Sequence, residues 1–171
     1  GVNRLSRFLE RWSDEWCDKE LHHTMGFFQY TQDRILWFVN QGDSWEELWV
    51  EVYSDSDFND NPRSTGGYIV LLCGPRDSLY AILWSSKLHG NTDTSTGDSE
   101  IVEWGRAAKA ATSIAALVER TRISKVKIYG YVDNDASRLA TERGSSQRLA
   151  HLQRTANVNL GFLKENGLTP W

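Results

Sequence analysis

The chain has 171 residues, of which 40% are hydrophobic and 25% are charged, the composition of a globular domain that can bury a real core. Its net charge of -4 at pH 7 argues against a protein that binds nucleic acid through bulk positive charge, so any such contact is expected to be local. Cys17 and Cys73 indicate neither a disulfide framework nor a zinc site, and no apolar stretch approaches the ~20 residues of a membrane span. We therefore expect an intracellular protein, cytoplasmic or nuclear, that makes no membrane contact.

Two helices are predicted at the start of the chain. Apolar residues recur at three- and four-residue steps from Val2 to Trp12, which predicts a short amphipathic helix. A second helix is expected to begin after Ser13, which suits an N-cap, and to end near Tyr30. Two apolar runs, 35–39 and 48–53, then predict neighbouring strands joined by a glycine-containing turn.

The remaining elements predict the fold class. In chain order they are a hairpin of strands 67–73 and 80–84, a long helix 100–120, a strand 126–132, and helices 135–142 and 146–164. Strands that begin as hairpins and then alternate with helices favour an α/β fold with a mixed central sheet flanked by helices. Tryptophans in these elements are expected to lie in the core, namely Trp37, Trp45, Trp49, Trp84 and Trp104.

Three acidic residues stand near the ends of predicted elements. Asp55 follows a strand, Glu100 lies in the first turn of the long helix, and Asp133 ends another strand. Strand ends and a helix start packed across them can bring such side chains into one cleft. Carboxylates gathered in this way repel one another unless a cation lies between them, and Mg²⁺ prefers such oxygen ligands. Each acid alone also fits a structural role, as a turn residue or as a partner of the helix dipole, so spacing leaves both interpretations open.

Short segments around these acids carry a family resemblance. They are Val52–Phe58, Arg63–Tyr68, Leu83–Lys87, Ser95–Glu100 and Tyr131–Ala136. In the same order, they resemble the segments Y-S-D-A-D-W, R-R-S-T-S-G-Y, I-S-W-S-S-K, S-S-T-E-A-E and C-D-N-Q-A-A of copia-type retrotransposon RNase H domains. The outer segments resemble the connection helices that precede this domain in the polyprotein and a later helix that opens with R-H-I, namely Asn3–Leu9, Phe27–Asp33 and Arg148–Glu165.

The resemblance implies a fold, an activity and a set of ligands. Residues 1–47 would be a connection-like helical segment with the first strand, and residues 48–171 an RNase H-like domain. Asp55, Glu100 and Asp133 would be the catalytic metal ligands for Mg²⁺ or Mn²⁺, with two ions in the active state. The implied function is a metal-dependent endonuclease within a retrotransposon-type polyprotein, which hydrolyses the RNA strand of an RNA·DNA hybrid.

Five further residues near the expected cleft are candidate nucleic-acid contacts. A solvated strand end explains Lys87 and its neighbours equally well. The candidates are Arg63, Ser85, Ser86, Lys87 and Asn134.

The sequence departs from the family in two ways. The chain ends before the family's last strand and helix and its fourth acid, so we expect a C-terminally truncated fold whose open sheet edge is completed by a partner protein or another segment. Asp98 and Glu103 replace the family's usual Glu and small apolar residue. One alternative is therefore a catalytically inactive RNase H-like scaffold module within a larger assembly. A weaker alternative is specificity for DNA, as in integrase-like relatives of the fold.

Overall fold

The computed structural model describes residues 5, 9–58, 63–90, 93–122, 124–147 and 149–165. The chain divides into two compact units, residues 1–37 and residues 38–171. The first unit contains helix α1, Asp14–Thr31, at the position predicted for the second helix. The first predicted helix, residues 2–12, lies mainly outside the described residues. None of the described helices combines the length and apolar character that a bilayer crossing requires.

The second unit is built on a four-stranded mixed sheet. Its strands are β1 (Trp49–Asp57), β2 (Thr65–Cys73), β3 (Leu79–Leu88) and β4 (Ile128–Tyr131). They lie in the order β3-β2-β1-β4, with β1, β2 and β3 antiparallel and β4 parallel to β1. A parallel neighbour needs a crossover connection, and helix α2, Thr96–Glu119, supplies it. This is the RNase H-like α/β fold with a mixed sheet and flanking helices that the sequence predicted.

Helix α2 and one face of the sheet form the core. Residues along β1 alternate between buried and more exposed, so Val50 and Val52 lie on one face and are fully buried. Ile101 and Trp104 of α2 belong to the same buried cluster. Burial of each side chain of this size contributes roughly 1.5–3 kcal/mol. Because α2 and β1 pack together in this way, the start of the helix is fixed relative to the strands.

In the described residues after β4, the chain forms three short helices. They are α3 (Asp135–Arg143), α4 (Leu152–Thr155) and α5 (Leu160–Glu165). The prediction of one continuous helix over residues 146–164 is wrong. The chain leaves helical geometry at Asn157, whose φ of 55° lies in the left-handed region, and the Val158 amide bonds back to the Leu152 carbonyl. Apolar periodicity alone did not reveal this break.

The predicted strand at residues 35–39 is also wrong. Only Val39 pairs, through an isolated antiparallel bridge to Leu79 at the first residue of β3. Ile35, Leu36 and Trp37 are all more than half exposed. A short apolar run becomes a strand only where it forms hydrogen bonds with a neighbouring strand, and within the run 35–39 only Val39 does so.

The five tryptophans predicted to lie in the core differ in their burial. Trp104 is fully buried, as predicted, and Trp49 is half-buried. The core prediction is wrong for Trp37, Trp45 and Trp84, which are 69%, 42% and 62% exposed. Trp84 lies on the sheet face away from α2. Sheets of this kind have two faces, and a strand tryptophan is buried only where a helix covers its own face.

Candidate metal centre

The structure brings the three predicted acids together. Asp55 lies near the end of β1, Asp133 follows β4 after one intervening residue, and Glu100 lies in α2. Because β1 and β4 are parallel and Tyr53 lies opposite Tyr131, Asp55 and Asp133, each two residues further on, lie at the same end of the sheet. Asp55 is itself paired with Gly67 inside β1, which corrects its predicted place after the strand. The three residues each offer a carboxylate oxygen, and these oxygens all lie within 4.8 Å of one another. Three distant parts of the sequence therefore form one acidic cluster.

Glu100 reaches the cluster from the second turn of α2, which corrects its predicted place in the first turn. The helix begins at Thr96 because Ser95 caps it, and the Ser95 hydroxyl accepts a hydrogen bond from the Asp98 amide at 3.2 Å. One turn of helix therefore precedes Glu100 and carries it inward, where its side chain is only 5% exposed.

The cluster combines one buried acid with two exposed acids. Asp55 and Asp133 are exposed, whereas Glu100 Oε2 is buried and has no hydrogen-bond partner among the described residues. Burial, and then the nearby carboxylates of Asp133 and Asp55, raise the pKa of Glu100 to about 7. Near neutral pH, ionisation of all three carboxyl groups at once is therefore electrostatically unfavourable. A bound cation would remove that electrostatic penalty.

The donor set fits a hard divalent cation. All three side chains offer carboxylate oxygens, which Mg²⁺ and Mn²⁺ prefer over softer ligands. Glu100 Oε2 is one of six buried side-chain atoms in the described residues that have no hydrogen-bond partner, and it is the one that belongs to the acidic cluster, where a bound cation would supply the missing partner. Asp55, Glu100 and Asp133 are thus suited to hold such ions.

An open cavity of about 780 Å³ adjoins the cluster. Asp55 and Asp133 line it, and Glu100 does not, so the two exposed acids face the space that a substrate would enter. A second wall is aromatic, because Tyr53 and Tyr131 also line the cavity and stack on each other with ring centroids 4.5 Å apart. The site is therefore open to solvent rather than enclosed.

The predicted nucleic-acid contacts lie at different distances from this cavity. Ser86 lines it, next to Gly67 in the register of β2 and β3. Lys87 and Arg63 are exposed but are not part of its lining, and Ser85 is half-buried. Asn134 has a structural role, since its side-chain oxygen accepts a hydrogen bond from the Ser137 amide at 3.1 Å and caps α3. A nucleic-acid role for these residues stays a prediction.

The sequence did not reveal a buried polar network beside the acids. His89 lies between Asp93 and Glu103, and all three side chains are nearly inaccessible to solvent. In a separate pair, His151 Nε2 lies 3.5 Å from the buried carboxylate of Asp98. Asp98 and Glu103 stood out from the sequence only as extra acids, and nothing in their spacing identified the histidines as their partners.

Comparison with models of known protein families gives no match, and comparison with curated proteins gives none either. Among solved structures, the foamy virus protease-reverse transcriptase in complex with an RNA/DNA hybrid is similar to 78% of this chain at 12% identity, with a TM-score of 0.45. This chain spans about a fifth of that protein, since the match covers 19% of its length.

Two smaller proteins give further matches at the same 12% identity. The prototype foamy virus RNase H domain matches over 71% of this chain and 72% of its own, with a TM-score of 0.41. The catalytic domain of human Endonuclease V matches over 64% of this chain and 47% of its own, with a TM-score of 0.26. Because all three TM-scores are below 0.5, we do not assign the fold from these matches. The assignment rests on the strand order, the parallel pairing of β4 with β1 and the crossover helix α2.

Proposed function

We propose that the chain is a metal-dependent endonuclease that hydrolyses the RNA strand of an RNA·DNA hybrid. The observation that carries the proposal is a buried Glu100 oxygen, without a hydrogen-bond partner in the described part of the chain, in one cluster with the carboxylates of Asp55 and Asp133, which line an open cavity. Carboxylates that line a cavity and repel one another are typical of a metal-dependent site rather than of a structural ion pair.

The three acids have different tasks in this proposal. Asp55 and Asp133 line the cavity and meet both metal and substrate, whereas Glu100 binds from the helix side, where burial fixes its side chain. The chemistry that Mg²⁺ or Mn²⁺ supplies when bound to such a set is activation of a water and stabilisation of the leaving oxygen during phosphodiester hydrolysis. The repulsion among the acids before metal binds favours occupancy of the site.

The choice of an RNA·DNA hybrid rests on the resemblance of five collinear segments to copia-type RNase H domains. An open cavity beside the acids suits a polymer, and such hybrids are recognised mainly by backbone shape and the RNA 2′-hydroxyl groups. The net charge of -4 restricts phosphate contacts to local groups, among which Ser86, Lys87 and Arg63 are the candidates. The proposal includes an origin within a retrotransposon-type polyprotein.

The test compares cleavage of three labelled substrates by the purified chain with Mg²⁺ or Mn²⁺. We expect cuts in the RNA strand of a hybrid and none in duplex DNA or single-stranded RNA. Asp55→Asn should abolish the cuts, because it removes an anionic ligand with little change of shape. The matched control is Asp77→Asn, which changes an exposed acid in the β2–β3 turn, where Asn tolerates the φ of 66° equally well.

Each result separates the candidate functions. A hybrid left intact by the wild-type chain and by Asp55→Asn alike would contradict the enzyme and favour the inactive scaffold. Cleavage of duplex DNA in preference to hybrid would retain the nuclease but overturn its substrate class. Equal loss in Asp77→Asn would show that the Asp55 effect is not specific to the acidic cluster.

A further inference from the structure

A buried histidine joins two buried acids next to the metal centre. His89 directly follows β3 and is 1% exposed, with its Nδ1 2.6 Å from Asp93 Oδ2 and its Nε2 3.2 Å from Glu103 Oε2. Asp93 is 6% exposed and Glu103 is fully buried. We call these three side chains, together with Arg106, the His89 network.

The geometry of the His89 network favours a protonated histidine. Both ring nitrogens face carboxylate oxygens, and only the imidazolium donates from both nitrogens at once. Burial by itself lowers the pKa of His89, but the hydrogen bonds to Glu103 and Asp93 outweigh it, so the pKa lies above its usual value of 6.5. Arg106 also donates to Glu103 Oε2, so two cations balance two carboxylates. Buried charges persist when they are paired in this way.

The position of the network connects three elements of the fold. Glu103 lies on α2 one turn after Glu100, and the His89 amide donates to the Ser64 carbonyl at 2.9 Å just before β2. The network also fills the space above Gly66 in β2, because a Cβ there would come within 2.1 Å of Glu103 Oε2 and 2.6 Å of His89 Nε2. Gly66 lies opposite Ser56, the neighbour of Asp55 on β1. The start of α2 is therefore tied to the strands beside the acids.

We propose that His89 is a positioning residue for the metal centre: by joining Asp93 to Glu103, it fixes the start of α2 so that Glu100 meets Asp55 and Asp133. This inference rests on the metal binding proposed above. The charge of His89 acts in the same direction as its geometry, because a nearby cation favours the ionised form of Glu100, the form that binds a metal. His89 itself contacts neither substrate nor metal in this scheme.

The test measures Mn²⁺ affinity by calorimetry at a temperature where each variant is fully folded. His89→Gln cannot donate to both acids and should lower the affinity by about tenfold, the scale typical of groups that orient metal ligands. Glu103→Gln is a milder second variant, since it keeps the shape of the side chain, and it should show the same loss.

The matched control is Arg122→Met. Arg122 is also a buried cation that joins separate segments, since its guanidinium donates to the carbonyls of Trp45, Glu46 and Leu48, but it makes no contact with the His89 network or the acids. This variant should lose stability and keep its Mn²⁺ affinity. Unchanged affinity in folded His89→Gln and Glu103→Gln would overturn the inference, as would an equal loss in Arg122→Met.

The wild-type chain provides a measurement that needs no variant. Nitrogen NMR should show both ring nitrogens of His89 protonated below pH 6.5, and Mg²⁺ should shift their resonances because His89 and Glu100 interact electrostatically. A neutral His89 ring, or resonances that Mg²⁺ leaves unchanged, would overturn the positioning role. Failure of the wild-type chain to bind Mn²⁺ at all would instead contradict the metal centre itself.

Discussion

Gly130 of β4 lies so close to Trp104 of α2 that a Cβ at position 130 would come within 2.1 Å of Trp104 Cη2. Trp104 is fully buried, so its ring has no free space into which it can move. Gly130 pairs with Val52, one residue before the last paired position of β1 and β4. Because glycine has no side chain, α2 can pack closely against β4 at position 130. This close packing also sets the position of Asp133, which follows β4.

Gly130→Ala should destabilise the fold by about 1–3 kcal/mol, the usual range for overpacking a dense core. It should also weaken Mn²⁺ binding, because β4 positions Asp133. Urea denaturation followed by tryptophan fluorescence measures the first effect. The control is Gly26→Ala on α1, where a Cβ meets nothing within 4 Å and the helix should gain up to about 1 kcal/mol. Equal unfolding midpoints for Gly130→Ala and wild type would contradict the packing described above.

Divalent metal should stabilise the folded chain. A ligand that binds only the folded state adds about 2.7 kcal/mol at a concentration 100 times its dissociation constant. Mn²⁺ should therefore raise the melting temperature of the wild-type chain, and EDTA should reverse the rise. Asp133→Asn should lose most of this response, whereas the exposed control Asp77→Asn should keep it. An undiminished response in Asp133→Asn would show that the ion binds elsewhere.

Without metal, the free energy of unfolding should fall as the pH rises through the pKa of Glu100. Burial, Asp133 and Asp55 raise the pKa of Glu100 from 4.5 to about 7, so the folded state binds its proton more tightly than the unfolded state does. The contribution to the free energy of unfolding is complete below pH 4.5 and is lost as the pH rises through about 7.

The contribution of Glu100 can be isolated by measuring the free energy of unfolding of wild type and Glu100→Gln in EDTA, between pH 4.5 and about 7. His89 also has a raised pKa and loses its own contribution above its usual 6.5, so only the difference between the two proteins belongs to Glu100. We expect that difference to decline from acid to neutral pH. A difference that does not vary with pH would contradict the raised pKa.

Lys87 should contribute to binding of a hybrid through phosphate contact. Replacing one such cation by alanine should reduce the slope of log affinity against log salt by roughly 0.7–0.9 and weaken binding regardless of base sequence. Fluorescence anisotropy with a metal-free hybrid at several salt concentrations measures this slope. Lys125→Ala is the matched control, because that side chain is 92% exposed and pairs with Glu119. The same slope for both variants would exclude a phosphate contact at Lys87.

Long, regular patterns in the sequence predicted most of the fold. The apolar run of β1 and the alanine-rich stretch of α2 have local causes, so both elements appear, although β1 extends to Asp57 instead of ending at 53 and α2 begins at Thr96 instead of 100. The prediction for the run 35–39 failed because a strand needs a pairing partner, and no local pattern reveals that only Val39 of this run has one. The interval 146–164 failed because Asn157 adopts a left-handed conformation inside an apolar periodicity that otherwise suits one helix.

The three acids could be identified only because their surrounding segments resemble a known family. Their proximity depends on the parallel pairing of β1 with β4, which the sequence indicates only through the general order of elements. Glu103 and His89 were beyond prediction, since each is an ordinary polar residue in sequence and becomes significant only when α2 and the end of β3 meet. Residue spacing along the chain does not predict this tertiary contact.

The parallel pairing of β1 with β4 also determines when the cluster of Asp55, Glu100 and Asp133 can form during folding. β1, β2 and β3 are hairpin neighbours and can associate early, whereas β4 reaches β1 only after the whole of α2 has crossed the sheet. An intermediate with an undocked β4 would hold Asp55 and Glu100 but lack Asp133. During refolding, metal affinity should therefore appear only when β4 docks on β1. Metal-dependent chemistry would then begin only after the sheet is assembled.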